Sequence, residues 1–337
     1  MTVTRSLYLV HRGATLARAG EHLVLRARGE KPTEIQIHGL RQLVLVGGIA
    51  PTPRAVEALL DHGIDTVLLT RTGRYLGRLV GGPSSAVALR LAQYRAIDDA
   101  GRALALARAI VIAKLRAQRV LLLRHLRRHG HDDALSVAAR SLRFSVARAE
   151  RASSLDELRG CEGAGAAAYF RAFGRLLRTQ DFQFDGRNRR PPLDPVNALL
   201  SLGYTLLTTA VEGALAVVGL DPYVGTLHAP LSGRPSLACD LVEEHRVPVV
   251  DSLVVAAINK GAFRPEDFEE CGPGEPVILR REALRWMVTL FERRMERPVF
   301  HAPSGRRLPY REVVLQQCRA FARAVEEGTE YVPFESR

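Results

Sequence analysis

Gly81-Gly-Pro-Ser-Ser85 is where the chain changes its period. Upstream, apolar residues alternate: Ser6-Leu-Tyr-Leu-Val10, His22-Leu-Val-Leu-Arg26, Glu34-Ile-Gln-Ile-His38, Gln42-Leu-Val-Leu-Val46, Thr66-Val-Leu-Leu-Thr70 and Arg74-Tyr-Leu-Gly-Arg78. Period two marks half-buried strands, and His11-Arg-Gly-Ala, Arg28-Gly-Glu-Lys-Pro and Gly39 supply turns between them. One helix is expected inside this region, from Pro53 to His62, with Thr52 as its N-cap. Downstream the apolar spacing becomes helical. The fold class is therefore α+β: a small N-terminal β-rich domain over residues 1–80, sandwich-like with one helix, a linker over 81–92, and an α-helical bundle over 93–330.

Helices are expected over Ala100–His131, Leu135–Arg151, Leu155–Arg178, Val196–Val218, Leu237–His245, Val249–Asn259, Arg280–Glu296 and Pro309–Glu326. Val196 to Leu220 carries Glu212 as its one formal charge and is long enough to span a bilayer. Asn197, Ser201, Thr205, Thr208 and Thr209 interrupt it, and Asp194, Pro195 and Gly219 sit at capping positions, so a buried central helix is expected. The tail from Thr329 reads as a loose or partner-bound end.

The 337 residues hold 48 basic and 36 acidic side chains, a net charge of +12 that favours a polyanionic partner. Most of the basic residues are arginine, whose planar fork pairs two phosphate oxygens; a GC-rich genome explains the Arg-to-Lys ratio equally well. Ala100 to His131 contains Arg102, Arg108, Lys114, Arg116, Arg119, Arg124, Arg127 and Arg128 and no acid. On an ideal helix Arg102, Arg116, Arg124 and Arg127 share roughly an 80° arc, which reads as a nucleic-acid face. His125, His129 and His131 read as a solvated helix end. The four cysteines, Cys161, Cys239, Cys271 and Cys318, form no CxxC pair, which argues against a zinc ribbon or disulfide framework. With no signal-peptide pattern at Met1-Thr-Val-Thr-Arg-Ser-Leu, a cytoplasmic location and no membrane partner are expected.

Chemistry concentrates in Gly225-Thr-Leu-His228 and Arg234-Pro-Ser-Leu-Ala-Cys-Asp240-Leu-Val-Glu243. Asp240 and Glu243, at i and i+3, leave one helical face toward an ion that His228 can approach from the preceding loop. Glu162, among the small residues of Gly160-Cys-Glu-Gly-Ala-Gly-Ala-Ala-Ala168, is the best third carboxylate. Two carboxylates with one imidazole suit Mn²⁺ or Mg²⁺ better than a thiolate-seeking Zn²⁺. Each has a structural alternative: a histidine after a glycine turn often serves as a hydrogen-bonding group, and Asp240 can equally orient His228. Arg187, Arg189, Arg190 and Arg234 flank these ligands in loops and read as phosphate clamps. Tyr169 and Tyr204 are expected to pack, and Asn197 to cap or face the site.

These segments, together with Arg189-Arg-Pro-Pro-Leu-Asp-Pro-Val-Asn-Ala-Leu-Leu-Ser-Leu-Gly-Tyr-Thr-Leu-Leu207, resemble the CRISPR-associated protein one family (Cas-one), in the family's motif order. The resemblance implies that Glu162, His228 and Glu243 are metal ligands with Asp240 as auxiliary acid. It also implies a metal-dependent DNA endonuclease and integrase that inserts spacers when a DNA 3′-hydroxyl attacks a phosphodiester. Its partners would be double-stranded and branched DNA (prespacer and repeat), a second copy forming a homodimer through the β-rich domain, and a dimer of the small CRISPR-associated protein two (Cas-two). Cys161, Gly165 and His245 depart from the family pattern without removing a ligand. The competing readings are a non-catalytic DNA-binding scaffold and a hydrolase of small phosphate esters; the absence of a glycine-rich phosphate loop weighs against the latter.

Overall fold

A computed structural model describes residues 5–71, 73, 75–79, 81, 86–188, 191–229, 231–272 and 274–335. The chain forms two compact units, one from residues 1–83 with 278–288 and the other from 84–277 with 289–337.

In the first unit, strands β1 (Arg5–Val10), β2 (Thr15–Ala19), β3 (His22–Arg26), β4 (Thr33–Gln36), β5 (Leu40–Val46), β6 (Ala50–Pro51), β7 (Asp65–Leu69) and β8 (Tyr75–Leu79) form two four-stranded sheets, ordered β1-β5-β7-β8 and β4-β3-β2-β6. The expected strands are present. Two short ones, β2 and β6, are additional: β2 carries the mixed run Thr15-Leu-Ala-Arg-Ala19 and β6 is two residues long, so neither shows a clear alternation. Strands β1, β5 and β7 pair in parallel, and from Leu43 to Val46 β5 is buried on both faces, as the central strand of a parallel sheet is. The crossover between β5 and β7 is α1 (Pro53–Asp61), capped by Thr52 Oγ1 accepting from the Ala55 amide. Leu9, Leu16, Leu23, Ile35, Leu43, Leu45 and Leu59, drawn from both sheets and α1, form one apolar core.

The second unit is dominated by helices: α2 (Val87–Asp98), α3 (Ala100–His129), α4 (Asp133–Arg151), α5 (Leu155–Phe173), α6 (Pro195–Val218), α7 (Ser236–His245), α8 (Ser252–Asn259) and α10 (Tyr310–Glu327), while α9 runs from Arg281 to Met295. The pairs β9 (Phe268–Glu270) with β10 (Val277–Leu279) and β11 (Pro298–His301) with β12 (Arg306–Pro309) are short. The linker expected over 81–92 becomes helical at Val87; α2 buries Leu89, Gln93 and Ala96, and its low helical asymmetry had hidden it. Helix α6 begins and ends as its caps dictate, with Asp194 accepting from the Asn197 amide at 2.8 Å and Gly219 in the left-handed region at φ 97°. It is long and apolar enough to cross a membrane, yet Val196, Leu199, Leu200, Leu206, Leu207 and Leu215 are buried within the unit.

Gly165 has a structural use that the sequence did not announce. A Cβ there would overlap Leu115 Cδ2 and touch Leu142 and Ser145, so a glycine lets α5 close onto α3 and α4. The tail departs from expectation as well: Tyr331 and Phe334 are buried, and both bond to Glu244.

Candidate metal centre

Helix α7 opens on Ser236 and presents Asp240 and Glu243 one turn apart, both buried. Asp240 is wholly inside, where its Oδ2 accepts from the amides of Thr226 (2.6 Å) and Leu227 (2.9 Å) and from Thr226 Oγ1 (3.2 Å). Its Oδ1 accepts from the His228 amide at 3.1 Å and lies 2.6 Å from His228 Nδ1. Three successive backbone amides folded around one carboxylate make an anion nest. Gly225 allows it, since a Cβ would sit 2.6 Å from Asp240 Oδ2 and under 3 Å from the backbone of Ser236 and Leu237. With Nδ1–H donated to Asp240, the imidazole turns its Nε2 lone pair outward, which is the tautomer a metal-binding or proton-accepting histidine needs. Asp240 thus orients His228.

Two side chains hold this loop that sequence reasoning did not anticipate. Arg159 Nε, one turn before Glu162 on α5, donates to Leu227 O at 2.9 Å. Gln93 on α2 donates to Asp221 O (2.8 Å) and Val224 O (2.9 Å) and accepts from the Asp221 amide (2.9 Å). The signal for Gln93 was a polar residue on a helix interior, which only burial reveals as bonded.

Glu162 and Glu243 come together on a third side chain. Lys114 Nζ bonds Glu162 Oε1 and lies 2.7 Å from Glu243 Oε2, so the two carboxylates lie within two hydrogen-bond lengths, about 5–6 Å. Arg246 reaches Glu243 Oε1 at 2.8 Å. Burial opposes a charge on Glu243, but Arg246 and Lys114 outweigh it and bring the carboxyl down to about 2, with His228 contributing in the same direction. Glu243 is therefore an anion at neutral pH. Its side chain is 4% exposed, against 25% for Glu162 and 33% for His228, so the latter two form the rim that meets solvent.

Among the described residues no three His, Cys, Asp or Glu side chains converge as a ready-made metal cage; Lys114 stands between two of the expected ligands. The donor set still fits a divalent ion. An ammonium held by two carboxylates from different helices is a stand-in cation, and the oxygen donors with one oriented imidazole match a hard or intermediate metal. Glu162, Glu243 and His228 would hold it.

The basic helix is less bare than its sequence suggests. Lys114 is buried at the site, Arg102 donates to Ala324 O and Val325 O, Arg108 to Ala152 O, and Arg116 pairs with Glu150 and Glu335. The positive charge of this helix is partly met by the protein itself, and Arg124, Arg127 and Arg128 form the exposed end. Arg187 is also used internally, bonding Asn197 Oδ1 and Ser201 Oγ (2.6 and 3.0 Å) over the Tyr204 ring, and Arg234 bonds Ala229 O. Arg189 and Arg190 lie outside the described residues. His245, one of the departures from the family pattern, stacks on Phe334 at 5.6 Å, and burial lowers its pKa to about 3, so the ring is neutral.

The family description "CRISPR associated protein Cas1" matches residues 7–293. The chain belongs to the Cas1 family. A CRISPR-associated endonuclease Cas1 of Rhodospirillum rubrum is 38% identical over 97% of both chains, and one of Thermus thermophilus is 37% identical over 98% of this chain and 97% of its own. The solved Cas1 protein of Thermotoga maritima shares the Cas1 fold found here, with a TM-score of 0.82 and 24% identity over 99% of this chain and all of its own. A casposase bound to its integration product superposes with a TM-score of 0.86 and 24% identity over 99% and 94% of the two chains, a likeness of fold.

Proposed function

We propose that this Cas1 chain is a metal-dependent DNA endonuclease and integrase of CRISPR adaptation, acting in the cytoplasm on prespacer and repeat DNA. The observation that carries the proposal is the pair Glu162 and Glu243 gathered on Lys114, with His228 oriented by Asp240 alongside. Its relatives are named endonucleases, and a similar fold is bound to an integration product in the casposase.

Mn²⁺ or Mg²⁺ held by Glu162, His228 and Glu243 would supply Lewis acidity toward a phosphate oxygen. The chain's own contribution is geometric and electrostatic. Asp240 takes the Nδ1–H of His228 and so keeps the ring in the tautomer whose Nε2 lone pair is available to such an ion. Arg246 and Lys114 keep Glu243 ionised. A DNA 3′-hydroxyl forms the new P–O bond as the old ester P–O bond breaks; its proton passes to solvent water, and water protonates the departing 3′-oxygen. Water in place of that hydroxyl gives cleavage.

We assign the β-rich unit to self-association, through sheet-edge strands such as β4 and β8, which among the described residues pair on one side. A Cas2 dimer is the expected partner; a solved Cas6-RT-Cas1–Cas2 complex contains a chain of this fold, at 26% identity and a TM-score of 0.85 over all of this chain and 37% of that one.

The test is transfer of a labelled 3′-hydroxyl duplex into a repeat-bearing plasmid with Mn²⁺, with Mg²⁺ and with chelator. Joined product is expected with metal, and none in chelator or in Glu162→Gln and His228→Ala, while salt-sensitive DNA binding persists. Joining at the wild-type rate by either variant would overturn the assignment.

A further inference from the structure

We propose that Asp251 is a positioning residue for the Glu162/Glu243 site: by accepting hydrogen bonds from Tyr169 and Tyr204 it fixes α5 against α7 and thereby sets the spacing of the two carboxylates. The proposal rests on reading that site as a metal centre.

Asp251 ends a π-helical turn, Arg246–Asp251, that follows directly on α7. Such turns widen the helix and redirect side chains, and they are frequent beside functional sites. Asp251 is 1% exposed and uses both oxygens: Tyr169 Oη donates to Oδ2 at 2.8 Å and Tyr204 Oη to Oδ1 at 2.6 Å. Tyr169 is fully buried on α5, seven residues after Glu162. Two turns of α-helix bring it back to within about 20° of the same face, so the anchor at Tyr169 sets the height and roll of Glu162. On the other side the turn begins at Arg246, which reaches Glu243 at 2.8 Å and lies over the Tyr204 ring at 4.9 Å.

The contacts close into a ring. From Glu162 the path runs along α5 to Tyr169, across to Asp251, back along the π turn to Arg246, then to Glu243, and through Lys114 to Glu162. A buried carboxylate shared by two tyrosines is costly to desolvate, and a leucine or methionine would pack the same interior at lower cost. What an apolar residue cannot do is hold two helices at one fixed offset. A divalent ion tolerates only a few tenths of an ångström in its ligand distances, so that offset matters at Glu162 and Glu243.

The test uses the full-length chain. Mn²⁺ affinity is read by electron paramagnetic resonance titration for wild type, Tyr169→Phe, Tyr204→Phe, Asp251→Asn and, as a site control, Glu162→Gln. The tyrosine variants remove one oxygen each and stay foldable if Asp251→Asn does not. Tyr169→Phe is expected to weaken Mn²⁺ by about tenfold, the effect usual for groups behind metal ligands, with DNA affinity in chelator unchanged. Mn²⁺ affinity within twofold of wild type in folded Tyr169→Phe and Asp251→Asn would overturn the proposal, whatever happens to the melting temperature. If Glu162→Gln titrates like wild type, the metal reading itself fails. A structure of Tyr169→Phe in chelator then decides the positioning claim: it is expected to show Glu162 withdrawn from Lys114, and an intact Lys114 bridge would end it.

Discussion

Lys114 Nζ lies 2.7 Å from Glu243 Oε2 while it also bonds Glu162, so a helix singled out for external anions gives its most buried cation to the candidate active site. In Lys114→Met the two carboxylates lose that ammonium, which for a buried pair costs roughly 3–5 kcal/mol. The metal-free melting temperature should therefore fall. Because an incoming ion no longer has to displace the ammonium, Mn²⁺ should raise the melting temperature of the variant by more than that of wild type. Equal metal-induced shifts in differential scanning fluorimetry would show that Lys114 does not occupy the ion's place.

Gly225→Ala tests the His228 loop. The added Cβ meets backbone atoms of Ser236 and Leu237 at 2.7 and 2.8 Å, which cannot yield as a side-chain tip can. The loop must lift from α7 and the Asp240 nest opens, at about 1–3 kcal/mol of overpacking. Strand transfer should drop by far more than DNA binding, as measured by joined product against gel shift. A variant with full joining activity would mean that the nest is dispensable.

Asp251 makes stability depend on pH in a direction opposite to an ordinary ion-paired acid. Burial raises its carboxyl from 3.8 to about 6, while Tyr204, Tyr169, Arg246 and Arg187 limit the rise. The folded state therefore binds the proton more tightly than the unfolded chain. The contribution is complete below pH 4 and is lost as pH climbs through 6, by up to about 3 kcal/mol. The difference in melting temperature between wild type and Asp251→Asn should shrink from pH 4 to pH 7. A difference that grows over that range contradicts the raised value.

The tail is a structural strap. Tyr331 Oη donates to Glu244 Oε1 at 2.7 Å, Gln317 Nε2 to Oε2 at 3.3 Å, and the Phe334 amide also reaches Oε2. Removing residues 329–337 takes two of the three donors from a fully buried acid next to Glu243, a loss of about 2–4 kcal/mol. The truncated chain should melt several degrees lower, and Glu244→Leu should help the truncated chain while harming the intact one. Equal effects of Glu244→Leu in both chains would place the loss elsewhere.

The β-to-α change near residue 81, the α6 caps and the residue types of the site were legible because each is local: alternation, capping and i, i+3 spacing need only a few neighbours in sequence. Helix α2 and the strands β2 and β6 were not, since the helix has apolar residues on several sides and the strands are too short or mixed to show a period. At the site, the sequence supplied Glu162, His228, Asp240 and Glu243, yet Arg159, Gln93 and Asp251 act through contacts with segments distant along the chain. No periodicity encodes such a contact.

The sequence by itself determined that strands precede helices and that acids with one histidine sit at ligand spacing, because steric and hydrophobic patterns along a chain act over a turn or two. Only the tertiary structure decided that Lys114 turns inward between Glu162 and Glu243, that Asp240 spends its oxygens on His228 and three amides, and that the tail closes over Glu244. A buried charge must take its partner from whatever helix packing brings within about 3 Å, and that choice is made by the whole fold.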